Sequence, residues 1–393
     1  MKITSVDVIQ LPRQDNAVQT PVLCRINTDE GIYGYGEAGV SIWDYTLGSK
    51  ALLRIMAKSI LGSDPLAIDV IYQKLVNGFW AQGNGGVIMA AISAIDMALW
   101  DIKGKYFNVP VYQLLGGKHR DKLWAYASQL QFGWKFHNSR IAPGDLGFVR
   151  EACEAAKADG FNAVKMNVIT KRLDGKRTSP DILRNHLPKD LLLEVEKKLD
   201  ILRDVMGPEG EILVENHNAT TAHTALQVAE VAEPFKVMLM EEPASPLNPD
   251  EYKKIAAHTR IPLATGERTY TRAGFKPLLD SNTLAVIQPD LGNCGGITEG
   301  RKICDMAQTY GVTVQTHTCN TPISTAASLQ FEAAIPNFII HELHTNNTLP
   351  VCTELCIYDY QPVNGYYEIP DLPGIGNELS DKALASAEIE TIK

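Results

Sequence analysis

The chain has 393 residues, long for one ordinary domain, and its apolar (45%) and charged (21%) fractions are those of a soluble globular protein. A formal net charge of −9 offers no basic field for nucleic acid, and no run approaches the ~20 apolar residues of a membrane span. The seven cysteines are scattered without a CxxC pair, and Cys352 and Cys356 do not complete a zinc spacing with His341 and His344. All seven read as reduced thiols of a cytoplasmic protein.

In chain order, "MKITSVDVIQLP" alternates as a strand and has no signal-peptide apolar region. "PVLCRINTD" and "GIYGYGEAG" follow as strands, with Asp29-Glu30-Gly31 suited to a hairpin turn. Residues 48–77 and 85–105 are helical in pattern, and "AAISAIDMALWDIKGK" has Gly104 near its end. Together they predict an α+β capping domain over residues 1–118.

From residue 119 the rhythm changes. Short apolar runs at 123–128, 163–169, 211–218, 237–243, 261–267, 284–290, 312–318 and 337–344 alternate with amphipathic helical stretches. Eight β/α repeats over 119–349 point to an α/β fold, a TIM-type (β/α) barrel, with a doubly wound sheet as the structural alternative. The segment 350–393 no longer alternates and is expected to pack back on the capping domain.

Barrel chemistry sits at the C-terminal ends of strands. The acids there fall at 215, 241 and 267, both intervals being 26, about the length of one β/α unit. Three carboxylates at one level repel one another unless a cation joins them, and Mg²⁺ prefers such oxygen donors. Glu241 and Glu242 are adjacent, so only one is expected to be a ligand, and periodicity does not say which. Glu215 and His217, two apart on a strand, project together. His317 and Asp290 end neighbouring strands, as a base and the acid that orients it would. His217 faces the same mouth, so the two histidines suit base and acid acting on one substrate.

The strand ends "VENH", "MEEP", "TGER", "IQPD", "THT" and "HEL", the helix "AISAIDMALWDIKGK" and the segment "IPDLPGIG" resemble the enolase superfamily, in its mandelate racemase-like group. The resemblance covers essentially the whole chain. It implies Mg²⁺ ligands Glu215, Glu241 and Glu267, a His317–Asp290 dyad, and Glu342 placed to hydrogen-bond a substrate carboxylate or enolate oxygen. His217 matches the histidine that expels the leaving hydroxyl in acid-sugar dehydratases. Two positions depart from the pattern: the first ligand is Glu215 where Asp is usual, and "VKMNVI" gives Lys165 and Asn167 where racemases carry Lys-x-Lys. Lys165 and Asn167 are read as substrate contacts.

The resemblance thus implies a Mg²⁺-dependent sugar-acid dehydratase acting as a homo-oligomer, with a racemase or epimerase, a cycloisomerase, or a non-catalytic metal-binding relative as alternatives. "SIWDYT" (41–46), with Trp43 and Tyr45, and "GFWAQGNGG" (78–86), with Trp80, are candidate specificity loops. The basic stretch 169–190, with Arg172, Arg177 and Arg184, is a candidate cover for the cavity.

Overall fold

A computed structural model describes residues 1–12, 20–39, 46–135 and 143–393; Trp43 and Tyr45 lie outside the described residues. Strands β1 (Ile3–Gln10), β2 (Val22–Thr28) and β3 (Tyr33–Ala38) form an antiparallel meander. The β2–β3 hairpin turns through Asp29 and Glu30, with Gly31 at φ 77°, a conformation glycine adopts without steric cost. The helix Gly86–Phe107 lies on this sheet, against Gly34 and Gly36 on one face of β3. A Cβ on Gly36 would stand 1.9 Å from the Ala94 carbonyl oxygen, so the alternating glycines set this close approach.

The helical pattern over 48–77 is realised as two helices, Thr46–Ile60 and Ile68–Gly78, parted at Gly62, which has φ 72°. The helix Gly86–Phe107 runs past Gly104 and ends at Asn108 in the left-handed conformation. Gly104 is a packing position rather than a cap: a Cβ there would lie 2.5 Å from the Gly374 Cα.

All eight strands expected after residue 119 are present. They are β4 (Lys122–Ser128), β5 (Ala163–Asn167), β6 (Glu211–Glu215), β7 (Leu239–Glu241), β8 (Leu263–Thr265), β9 (Leu284–Ile287), β10 (Thr313–Val314) and β11 (His341–His344). Neighbours pair in parallel in chain order, and β11 pairs with β4. A parallel bridge from Val314 to Phe338 joins β10 to the lead-in of β11, which closes the ring. That closure excludes the doubly wound alternative. Tyr126, Leu213, Leu239, Ala264 and Val286 form a separate buried cluster, a packed barrel interior rather than a pore.

The C-terminal segment reaches both parts of the molecule. Strand β12 (Tyr366–Glu368) pairs antiparallel with the start of β4, and β13 (Glu388–Ile392) adds a fourth strand beside β1. Between them the Ile375 N–H donates to Asp101 of the long helix at 3.0 Å. None of the seven cysteines forms a disulfide, and among the described residues no helix is long and apolar enough to cross a membrane.

Candidate active site

The strands end before the polar residues do. Beyond β6 and β7 the chain leaves the ladder through His217 (φ 53°) and Glu242 (φ 43°), and beyond β4 through Gln129 (φ 67°). Non-glycine residues adopt this region rarely, and such conformations cluster at functional sites. These exits turn polar side chains over the barrel mouth.

Lys165 on β5 stands at the centre, almost fully buried. Its Nζ lies 2.8 Å from both Glu241 oxygens, 2.9 Å from Glu342 Oε1 and 3.4 Å from Glu215 Oε2. Glu342 also accepts from Ser128 Oγ (2.6 Å) and the Thr318 N–H (3.1 Å). Glu215 accepts from Gln129 Nε2 and from the His217 N–H, each at 3.1 Å. Asn216 points away and donates to Thr220 Oγ1.

The second half of the site is built around Glu267. Its two oxygens face two imidazoles, His217 Nε2 at 3.7 Å and His317 Nε2 at 3.4 Å. His317 Nδ1 meets Asp290 Oδ2 at 2.8 Å, while Asp290 Oδ1 accepts from the Gly292 N–H at 2.7 Å. Arg268 pairs with both Glu242 and Glu267. The two neighbouring acids therefore separate: Glu241 goes to Lys165, Glu242 to Arg268.

Burial would lower the Lys165 pKa, but Glu241, Glu342, Tyr126 and Glu215 hold it well above its usual value. In this arrangement three carboxylates hold the proton on Lys165. Burial would raise Glu342, yet Lys165, His317 and Ser128 hold it well below the usual carboxylate range. In this arrangement it accepts from Lys165, Ser128 and Thr318. Burial, and then Glu215, push Glu241 up to about 8. Burial, and then Glu267, push Glu242 up as well. Burial opposes the His317 proton, but Cys319, Glu267 and Asp290 raise its pKa well above the usual value.

Five buried carboxylates (Glu215, Glu241, Glu242, Glu267 and Glu342) thus share the mouth with two permanent cations, Lys165 and Arg268. The repulsion that raises Glu241 and Glu242, together with the oxygen donors, fits a hard divalent cation that would relieve it. Glu215, His217 and Glu267 each offer a ligand atom within 4.8 Å of the others. Glu241, expected as a ligand, is not in that group; both its oxygens lie on Lys165 Nζ.

Asn167 is buried at the end of β5, where its Oδ1 accepts from Ile169 N, Thr170 N and Thr170 Oγ1. Its Nδ2 has no protein partner among the described residues. The stretch after β5 is tied to its own surroundings: Arg172 pairs with Glu194 and Asp190, and Lys198 donates to the Val168 carbonyl. Trp80 is 80% exposed, while Gly85 of the same loop packs on Tyr270 beyond β8.

Sequence reading missed Ser128, Gln129, Arg268 and His344. The period of two from Glu342 would have found His344, which pairs in register with Ser128 as Glu342 does with Tyr126. Burial lowers the His344 pKa to about 4, and its Nδ1 accepts from the Asn346 N–H, so it is neutral with its proton on Nε2.

Two family profiles match the chain: "Mandelate racemase / muconate lactonizing enzyme, N-terminal domain" over residues 3–116, and "Enolase C-terminal domain-like" over residues 147–383. A D-xylonate dehydratase of Haloferax volcanii is 32% identical over 373 residues, covering 94% of this chain and 85% of that protein. The structure of a candidate dehydratase from Zymomonas mobilis ZM4 superposes with a TM-score of 0.96 at 42% identity, covering 100% of this chain and 99% of that one. The 3,6-anhydro-D-galactonate cycloisomerase of Zobellia galactanivorans superposes with a TM-score of 0.84 at 28% identity, covering 99% and 100%. With both its N-terminal module and its barrel matched, the chain belongs to the enolase superfamily, in the mandelate racemase and muconate lactonizing enzyme family.

Proposed function

We propose that this protein is a divalent-metal-dependent dehydratase of a sugar acid, removing the C2 proton and the C3 hydroxyl of an aldonate to give a 2-keto-3-deoxy acid. The observation that carries it is the placement of His217 Nε2 and His317 Nε2 on the two oxygens of Glu267. A proton acceptor and a proton donor then flank one place in the mouth, as elimination of water requires. The D-xylonate dehydratase relative supports the substrate class.

In this reading His317 is the base. Its Nδ1–H is fixed by Asp290, and a cation on Glu267 would remove one of the charges that hold a proton on Nε2, leaving Nε2 the lone pair that takes the C2 proton. His217 is the acid that protonates the departing C3 hydroxyl, and the enol formed tautomerises to the 2-keto acid. Lys165 supplies fixed positive charge beside the substrate carboxylate, with Glu342 holding it in place. Asn167 Nδ2 is the donor left for a substrate oxygen. Glu215, Glu241 and Glu267 would hold Mg²⁺, with Lys165 releasing Glu241. When bound, the cation supplies Lewis-acid stabilisation of the charge developing on the substrate carboxylate, worth several kcal/mol. We place the protein in the cytoplasm as a homo-oligomer acting on a small molecule, with no nucleic-acid or membrane partner; the seven free thiols suit a reducing compartment.

The test is a panel of sugar acids, D-xylonate among them, incubated with Mg²⁺ and read with a 2-keto acid reagent and by C2 exchange in D₂O. Keto acid from at least one member is expected. Exchange without loss of water would indicate epimerase chemistry, and a ring-opened product a cycloisomerase. Neither exchange nor product from any member would sink the reading.

A further inference from the structure

The end of β3, in the N-terminal module, touches the loops that carry both members of the His317–Asp290 pair. Glu37 is fully buried there, far from its neighbours in sequence. Its carboxylate accepts from the Thr321 N–H (3.0 Å to Oε1), Thr321 Oγ1 (2.7 Å), the Ser324 N–H (3.3 Å) and Ser324 Oγ (2.7 Å). Thr321 is the N-cap of the helix Pro322–Ala334, and only three residues separate it from His317. Glu37 therefore fastens the point at which the His317 loop becomes helix, its carboxyl oxygens accepting from the donors at the start of that helix.

Two residues further on, the Gly39 N–H donates to the Gly292 carbonyl at 2.8 Å. The Gly292 N–H in turn donates to Asp290 Oδ1 at 2.7 Å. A Cβ on Gly39 would stand 2.8 Å from the Asn293 side chain and 2.9 Å from the Gly292 carbonyl carbon. A Cβ on Gly292 would stand 2.8 Å from the Gly39 backbone. The two chains pass too closely for any side chain between them. The His317 loop and the Asp290 loop also meet directly, Asn320 Nδ2 lying 3.5 Å from Asp290 Oδ2.

We infer that Glu37 and Gly39 are positioning residues, a two-point clamp by which the N-terminal module sets the His317 Nδ1–Asp290 hydrogen bond. Neither touches the mouth; Glu37 acts through Thr321 and Ser324, and Gly39 through Gly292. The clamp rests on the reading of His317 as base only for its effect on rate, not for its effect on the hydrogen bond. A buried acid that only stabilised the fold would leave the imidazole of the folded protein unchanged.

The experiment compares Glu37→Gln, Glu37→Asp, Gly39→Ala and Ser324→Ala with the parent protein. Glu37→Gln keeps the shape but replaces an acceptor oxygen with a donor. Ser324→Ala removes a single hydroxyl and is the variant least able to disturb folding. The first readout is the downfield proton resonance of His317 Nδ1–H, identified by its loss in His317→Asn. It should shift or broaden in Glu37→Gln and Gly39→Ala and recover in part in Glu37→Asp. The second is kinetic: kcat should fall about 10- to 100-fold with KM little changed, the scale on which small misplacements act. C2 exchange and dehydration should fall in equal proportion, since both need His317. Folded variants, Ser324→Ala included, with the parent resonance and parent rates would overturn the clamp. So would loss of dehydration with exchange intact. If the parent acts on no sugar acid, the functional reading fails, and the resonance still decides the clamp.

Discussion

At the residue scale the two histidines are separable. In the proposed mechanism His317 acts before the leaving group departs, and His217 acts on it as it departs. His317→Asn should abolish both dehydration and exchange of the C2 proton with D₂O. His217→Asn should lose dehydration by the 10²–10⁴-fold typical of general acid catalysis while still exchanging C2. Lys165, in contact with Glu241, Glu342 and Glu215, is read as an electrostatic contact rather than a second base, so no exchange is expected in the first variant. Exchange persisting in His317→Asn would therefore refute both assignments. The metal is tested on Glu241, whose carboxylate is forked on Lys165 here. Glu241→Gln should weaken Mg²⁺ binding, measured calorimetrically, by at least about tenfold, since even groups that only support ligands act on that scale. Unchanged affinity would leave Glu241 as a partner of Lys165 and nothing more.

At the element scale, the eight barrel strands were legible because parallel strands buried on both faces read as apolar runs. The acids at 215, 241 and 267 were legible because the two units that separate them, β6 to β7 and β7 to β8, are nearly equal in length. What lay beyond the strand ends was not. The left-handed exits at Gln129, His217 and Glu242 break the alternation from which side-chain direction is inferred, so the pairing of Glu242 with Arg268 and of Glu241 with Lys165 could not be read. The packing role of Gly104 was hidden for a related reason. A glycine near a helix end resembles a cap, yet its partner is Gly374, 270 positions away in the chain. Gly104→Ala tests this. In an exposed helix it would stabilise by reducing the freedom of the unfolded chain. Here the added Cβ meets backbone at 2.5 Å, so overpacking should destabilise by about 1–3 kcal/mol, read from the urea midpoint. A gain in stability would show that the C-terminal segment is free to move away.

At the scale of the whole molecule, the N-terminal module and the barrel are joined through buried acids rather than through apolar contact alone. Glu37 reaches the helix Pro322–Ala334, and Asp96 of the long helix accepts from the Thr298 N–H at 2.9 Å, at the start of the helix Gly296–Thr309. Burial raises both acids to about 7, though the donors around each pull the other way. Their folded pKa values therefore lie above the unfolded values near 4, so between about pH 4 and 7 the unfolded chain binds fewer protons than the folded one. Stability from this pair is fully present below the unfolded pKa and is lost as pH rises through about 7. Other groups also titrate in that window, so the informative quantity is the difference between variant and parent. Asp96→Asn and Glu37→Gln each remove one of the two titrations. The urea midpoint of each variant, measured from pH 5 to 8, should gain on that of the parent as pH rises, and the double variant should gain most. Parallel curves would mean that the donors keep both acids ionised throughout, and that the junction is held by charge at every pH in the range.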